Sequence, residues 1–347
     1  MENPNLSPEL SNRYSRQVLF RPIGQTGQAS LANSRVAIVG MGALGTILST
    51  QLVRAGVGFV RIIDRDIIES SNLQRQSLFD EEDAALGLAK AAAAAEKLQR
   101  ANSLVTIDVH VTDLTARNAE ALLADVNVIV DGTDNFQTRY LMNDVAVKHG
   151  IALSYGGSVS SYGTAAFIRP SHTPCLQCLF GAFRVGGHDT CDTVGVIAPI
   201  VSIIASLQVA EILKYLTGNF DALNPGMTYV DVWRNELRQV KFPLQNSDCP
   251  CCGAHQFEAL NDTSNALTVS LCGRQTIQVR PAVNRSIELA NLASRLSPLG
   301  EVRHNAHLLR FDYGSGQITV FQDGRALVHG TDDVAIARSV YARYIGM

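Results

Sequence analysis

Two cysteine pairs carry the clearest chemistry in this 347-residue chain. Cys175-x-x-Cys178 and Cys249-x-x-Cys252 each have the two-residue spacing that lets both thiolates reach one ion. Four thiolates suit tetrahedral zinc and leave no open position, so the expected role is structural, worth about 10 kcal/mol by analogy with zinc peptides. Cys251 is a spare thiol beside the second pair, and ligation through it in place of Cys252 stays open. Cys191 lies in the polar, Gly-rich stretch Gly186-Gly187-His188-Asp189-Thr190-Cys191-Asp192. A thiol there is either a candidate nucleophile or an incidental cysteine. Cys272 falls on an apolar run and is expected in a core.

A second group of residues points to a nucleotide. The apolar run Val36–Val39 leads into Gly40-x-Gly42-x-x-Gly45, with Ala43 inside the turn. Such a turn brings backbone N–H groups against phosphate at a helix N-terminus. Asp64 follows about twenty residues on, where an acid holds a ribose hydroxyl. Those features alone fit a nicotinamide-dependent oxidoreductase as well as an ATP enzyme. Asp66 and the run Ser71-Asn72-Leu73-Gln74-Arg75-Gln76 favour a triphosphate. Asn72 can hydrogen-bond phosphate, Arg75 can fork onto its oxygens, and Lys90 adds a point charge at the start of a helix. Lys90 by itself also fits a solvated helix face. In Asp131-Gly132-Thr133-Asp134-Asn135, Asp131 is expected to cap the next helix or fix the loop. Asp134 suits the Mg2+ that accompanies ATP, an ion that takes one or two carboxylates plus phosphates. Arg139 fits a phosphate contact or a surface helix equally well.

Holding these groups in one place requires a regular scaffold, and the sequence supplies one. Strands are expected at 36–39, 60–63, 105–111, 126–131 and 151–154, alternating with helices at 45–55, 89–99, 117–124 and 143–148. Short apolar strands alternating with helices imply a mostly parallel, Rossmann-like α/β sheet covered on both faces. Ligands on such sheets bind beyond the carboxyl ends of the strands, where Gly40, Asp64 and Asp131 fall. Further strands are expected at 162–169, 227–232 and 237–241, with a long apolar helix at 199–216. Residues 254–264 are polar and read as a linker. A small α+β module of about ninety residues follows, with its own pattern of strands and helices and an Asp323-Gly324 hairpin turn.

Composition sets outer limits. With 46% hydrophobic and 18% charged residues the chain has material for a large core, and its length suggests two domains. A net charge of -3 gives no reason to expect nucleic acid. No apolar run is expected to be long enough to span a bilayer, the stretch 194–207 being apolar but short, and Met1–Asn5 does not open a secretory signal, so a cytoplasmic location is expected. Close cysteine pairs in such a compartment favour metal or catalysis over disulfides.

Taken together, residues 12–253 resemble the ThiF/MoeB/HesA adenylyltransferases, bacterial relatives of ubiquitin-activating enzymes. The resemblance rests on Arg13-Tyr14-Ser15-Arg16-Gln17, the glycine turn, Asp64-x-Asp66, Ser71-Asn72-Leu73-x-Arg75-Gln76, Lys90, Thr133-Asp134-Asn135, the cysteine pairs, and Thr190-Cys191 before Gly195-Val196-x-Ala198-Pro199. It implies that Mg-ATP is used to adenylate the C-terminal Gly-Gly carboxylate of a ubiquitin-like sulfur carrier, in thiamine-thiazole or molybdenum-cofactor synthesis. Asp64 would then bind ribose, Asn72, Arg75 and Lys90 the phosphates, and Asp134 the Mg2+. Arg16 would reach into the neighbouring subunit of a homodimer, and the cysteine pairs would hold the family's structural zinc. Cys191 matches the position that forms a sulfur-linked adduct in some members, and a cysteine desulfurase or other sulfur donor would be a further partner. The implied division is an adenylation domain at 1–255 and a C-terminal module at 256–347. Alternatives are a family member acting on a peptide or tRNA-linked carboxylate, and the oxidoreductase. The chain departs from many members in having Gly42-Ala43 where they have consecutive glycines. Its C-terminal module lacks the cysteine-centred basic loop of a rhodanese domain and resembles an extension of Gram-positive-type ThiF-like proteins, where carrier docking or dimer support are the expected roles.

Overall fold

The computed structural model describes residues 12–181, 195–261, 268–271, 276–280, 286–314 and 316–346. The chain divides into two compact units, Met1–Thr263 and Ser264–Met347.

The first unit is built on an eight-stranded sheet of order β3-β2-β1-β4-β5-β6-β7-β8. Its strands are β1 (Arg35–Val39), β2 (Phe59–Ile63), β3 (Thr106–His110), β4 (Val128–Asp131), β5 (Ala152–Val159), β6 (Tyr162–Ile168), β7 (Gly226–Asp231) and β8 (Glu236–Lys241). The first five pair in parallel, and β6, β7 and β8 add antiparallel strands at one side. The helices are α1 (Ser15–Val18), α2 (Gly24–Ala32), α3 (Ala43–Ala55), α4 (Glu81–Leu86), α5 (Lys90–Ala101), α6 (Ala119–Leu123), α7 (Phe136–His149), α8 (Leu176–Phe180), α9 (Ala198–Leu216) and α10 (Glu258–Asn261). Alternate strand residues enter two separate cores, which is why these strands read as continuous apolar runs. Val36, Ile38, Val60, Ile62, Val128 and Val130 join residues of α3, α5 and α9 on one face. Ala37, Val39, Ile63 and Ile129 join residues of α6 and α7 on the other.

Helix α9 has the length and apolar composition of a membrane span. Here Ile200, Val201, Ile204, Ala205, Val209 and Ile212 belong to the core beneath the sheet. Residues 143–148 form only the second half of α7, which begins at Phe136. The polar stretch expected as a linker contains α10, whose Ala259 is buried. Asp144 of α7 accepts from the Ala259 and Leu260 amides at 2.8 and 3.3 Å, which fixes that turn on the first unit.

The second unit is a six-stranded antiparallel sheet of order β11-β12-β13-β14-β10-β9. Its strands are β9 (Thr268–Leu271), β10 (Thr276–Val279), β11 (Glu301–His304), β12 (Leu308–Asp312), β13 (Gln317–Phe321) and β14 (Ala326–His329). Helices α11 (Leu289–Leu296) and α12 (Val334–Tyr344) supply Leu292, Leu296, Ala337 and Tyr341 to its core. Gly324 takes φ of +81° in the tight turn joining β13 to β14, as the Asp-Gly pair implies.

Candidate active site and thiol cluster

The order of strands reverses between β1 and β4, and crevices open at such switch points beyond the strand carboxyl ends. Val39 of β1 stands beside Ile63 of β2 and Asp131 of β4, so Gly40, Asp64 and Gly132 leave the sheet side by side. Gly40 donates to the Ile63 carbonyl and Gly132 to that of Val39, both at 2.8 Å. Gly40 takes φ of +89°, and a Cβ there would stand 2.7 Å from the Gly132 carbonyl oxygen. A Cβ on Gly132 would come within 2.5 Å of the Gly40 oxygen, and one on Gly45 would also collide with it. Two loops therefore touch backbone to backbone, and Gly132 is as necessary to that contact as the glycines of the turn. Ala43 opens α3, and its N-cap, Gly42, has no side chain to cap the first amide groups.

Asp64 is buried, and its two oxygens accept from the Met41 amide at 2.5 Å and the Asp66 amide at 2.6 Å. Burial pushes its carboxyl up, with the Lys90 charge opposing. Lys90 is the first residue of α5; its amide donates to the Asp66 carbonyl at 2.9 Å and its Nζ lies 3.2 Å from Asp66 Oδ2. With a side chain 4% exposed, Lys90 does not sit on a solvated helix face.

The run 71–76 is a compact turn. Asn72 is buried; its Oδ1 accepts from the Glu69 amide at 3.2 Å and its Nδ2 donates to Ser71 Oγ at 3.4 Å. Arg75 is half-buried and donates to the Ser71 carbonyl at 2.9 Å. Leu73 is half-buried, packed against the core, while Ser71 and Gln74 are exposed. Gln76, the last residue of the run, is buried with its amide nitrogen 4.0 Å from where a Gly42 Cβ would lie. Its Oε1 has no hydrogen-bond partner among the described residues.

Asp131 fixes the loop after β4 and does not cap α7. It accepts from the Thr133 amide at 2.9 Å, Thr133 Oγ1 at 2.7 Å and Arg139 Nε at 2.8 Å. The cap is Asn135, whose Oδ1 accepts from the Thr138 amide at 2.8 Å. Arg139 is not a surface residue, and its hydrogen-bond partners among the described residues are internal. Its guanidinium is buried and also donates to the Thr133 and Gly156 carbonyls at 2.7 and 3.0 Å, between the rings of Phe136 and Tyr155. Asp134 and Asn135 are exposed on the loop so held. Arg16 is exposed on α1. Neighbouring Tyr14 is buried and accepts from Asn102 Nδ2 at 2.8 Å, and Gln17 donates to the Ala55 carbonyl at 2.9 Å. Cys191 and Cys272 lie outside the described residues.

Away from this crevice, the sulfurs of Cys175, Cys178, Cys249 and Cys252 lie within 4.8 Å of one another. Measured separations are 3.9 Å (Cys175 to Cys178), 3.7 Å (Cys175 to Cys249) and 3.4 Å (Cys178 to Cys252). Zinc–sulfur bonds of about 2.3 Å at tetrahedral angles put sulfurs about 3.8 Å apart, so the cluster has the dimensions for that ion. A hydrogen bond from Cys251 brings the Cys175 thiol down to about 4, against burial, while burial raises Cys178 and Cys249. Cys251 is not among the four.

Comparison with known proteins agrees with this architecture. The chain is 44% identical to the sulfur carrier protein ThiS adenylyltransferase of Bacillus subtilis, over 97% of this chain and 100% of that protein. It is 34% identical to the adenylyltransferase and sulfurtransferase MOCS3 of Dictyostelium discoideum, over 72% of this chain but only 58% of that longer protein. A crystal structure of E. coli MccB with MccA-N7isoASN shares the fold, with a TM-score of 0.62 at 22% identity, covering 72% of this chain and 76% of that one. Residues 14–251 match the ThiF family, and with these identities the chain belongs to it.

Proposed function

We propose that the chain is an ATP-dependent adenylyltransferase acting on the C-terminal Gly-Gly carboxylate of a ubiquitin-like sulfur carrier. The observation that carries this reading is 44% identity to the ThiS adenylyltransferase along the whole of that protein's length. It favours a ThiS-type carrier and thiamine-thiazole synthesis over a MoaD-type carrier, because the MOCS3 relative aligns with only 72% of this chain. With the family shown, the nicotinamide reading lapses.

In the reaction, a carrier carboxylate oxygen attacks the α-phosphorus of ATP. A bond forms between them, the bond from that phosphorus to the bridging oxygen breaks, and pyrophosphate departs with the electron pair. Alignment and charge neutralisation are what this step needs, more than proton transfer. Asp64, held rigid by two backbone amides, retains lone pairs for a ribose hydroxyl. Amide groups at the start of α3 would bind the phosphates. Asn72, Arg75 and Lys90 supply donors and positive charge, with Lys90 exchanging its Asp66 partner for phosphate. Asp134, exposed on its braced loop, would hold Mg2+, which supplies charge neutralisation on the leaving pyrophosphate. Arg16 is exposed, as a residue serving the partner's site in a homodimer must be. The four thiols would hold zinc as a closed, structural site.

ATP–pyrophosphate exchange tests the reading directly. Exchange that depends on a ThiS-type carrier is the expected result. Exchange with neither a ThiS-type nor a MoaD-type carrier would overturn it. Cys191→Ser should leave exchange intact and impair only later sulfur transfer.

A further inference from the structure

The thiol cluster stands against the middle of α7, and two consecutive residues there bind both of its arms. Asn143 and Asp144 are 0% and 3% exposed, and Cys251 is 0% exposed. Asn143 Oδ1 accepts from the Leu176 amide at 2.8 Å, next to Cys175 in the first arm. Its Nδ2 donates to Cys251 Sγ at 3.2 Å, inside the second arm. The Cys251 thiol in turn donates to Asp144 Oδ1 at 3.4 Å, and Asp144 Oδ2 accepts from the Ala259 and Leu260 amides just beyond that arm. A thiol offers one weak donor and a weak acceptor: Asn143 fills the acceptor of Cys251, and the one S–H is directed to Asp144 while also lying close to Cys175.

We infer that Asn143 and Asp144 are positioning residues that hold the Cys251 thiol behind the cluster and fix both cysteine arms, so that Cys252 and not Cys251 is the fourth metal ligand. This rests on the proposal that the cluster holds zinc. The -Cys251-Cys252- dipeptide offers two adjacent thiols, and a four-thiolate site must take one of them. Sulfur positions already separate the two: Cys252 is 3.4 Å from Cys178, whereas Cys251 is excluded from the four mutually close sulfurs. Leu176 and Cys251 are anchored to one asparagine, so the spacing of the two arms is set by protein hydrogen bonds as well as by any ion. Groups that orient ligands in this way are worth about 10–100-fold in metal affinity.

The test uses the full chain loaded with Co2+, whose sulfur-to-cobalt charge-transfer bands count bound thiolates, and then Zn2+ in competition with a chromophoric chelator. We expect a four-thiolate spectrum for the unsubstituted chain. Cys251→Ser preserves both hydrogen bonds and should keep that spectrum and its zinc affinity. Cys252→Ser should lose one thiolate. Asn143→Ala and Cys251→Val should each weaken zinc about 10–100-fold with four thiolates retained. Loss of a thiolate in Cys251→Ser, four thiolates in Cys252→Ser, or unchanged affinity in both Asn143→Ala and Cys251→Val would overturn the inference. Should the buried substitutions prevent folding, the two serine variants still decide it by their spectra. No Co2+ or Zn2+ bound by the unsubstituted chain would instead remove the zinc proposal on which it stands.

Discussion

Among the described residues Arg75 makes one hydrogen bond, to a carbonyl a single turn away, which leaves the rest of its guanidinium for other work. Replacing it with alanine should cost little stability while reducing carrier-dependent pyrophosphate exchange by about 10²–10³-fold, the scale of losing one group that meets developing charge. Normal exchange in Arg75→Ala would refute the phosphate role. Arg139 should behave in the opposite way, because every bond it makes is internal. Arg139→Met leaves Asp131 buried without its counter-charge and should lower stability by about 3–5 kcal/mol in urea unfolding. Adding Asp131→Asn should recover part of that loss; full additivity would argue against the pair. The contrast explains which residues the sequence made legible. Gly40, Asp64, Asn72 and Arg75 sit at short, local spacings that chemistry itself imposes. Arg139 finds its partners across a loop and on another strand, at Asp131 and Gly156, and nothing local to it announces that. Gln76 lies within the same local run as Arg75, but its role is not local: its side chain meets the Gly42 turn, which only the fold brings near.

Strand β2 carries its own electrostatic device at Arg61, which donates to Asp108 of β3 at 2.6 Å and to Asp125 at 2.5 Å. Hydrogen bonding to Arg61 holds the Asp125 carboxyl below its ordinary range. Burial alone would raise Asp108, but bonds from Arg61 and His110 outweigh it and leave that carboxyl low as well. A depressed carboxylate stabilises the fold fully above its unfolded value of about 3.9 and loses that contribution as pH falls through the folded value. The melting temperature should therefore drop between about pH 5 and 3, and Arg61→Gln should melt lower at pH 7 with a shallower acid decline. Parallel decline in both proteins would exclude this network as a cause. At this scale β1, β2 and β4 were readable because each is a short, largely apolar run. Helix α7 was only half visible, since Arg139–Ala146 are all buried and a helix buried on every side shows no polar face. Strand β11 carries no apolar signal for the reverse reason: three of its four residues are exposed, including Glu301 and Arg303, as befits an edge strand.

The two units have separate cores, one pair of layers around the mostly parallel sheet and one layer under the antiparallel sheet. Asp323-Gly324 and the alternation around it made the second sheet legible as hairpins. Its role was not legible, because none of its residues falls into a spacing that chemistry demands. Separate cores imply separate cooperativity, and the thiol cluster belongs wholly to the first unit. An ion that binds only the folded state stabilises by mass action, about 4 kcal/mol at a thousandfold excess over its dissociation constant. Calorimetry of the metal-loaded chain should thus show two transitions, and a strong chelator should lower only one of them. Limited proteolysis should assign the chelator-sensitive transition to Met1–Thr263 and leave a fragment near Ser264–Met347 unaffected. Because α7 runs from the Asn135 cap beside the crevice to the Asn143–Asp144 pair, chelation should also raise the KM for ATP in exchange assays before that unit unfolds. A single transition, or a chelator shift shared equally by both, would mean that the units are coupled more tightly than their cores imply.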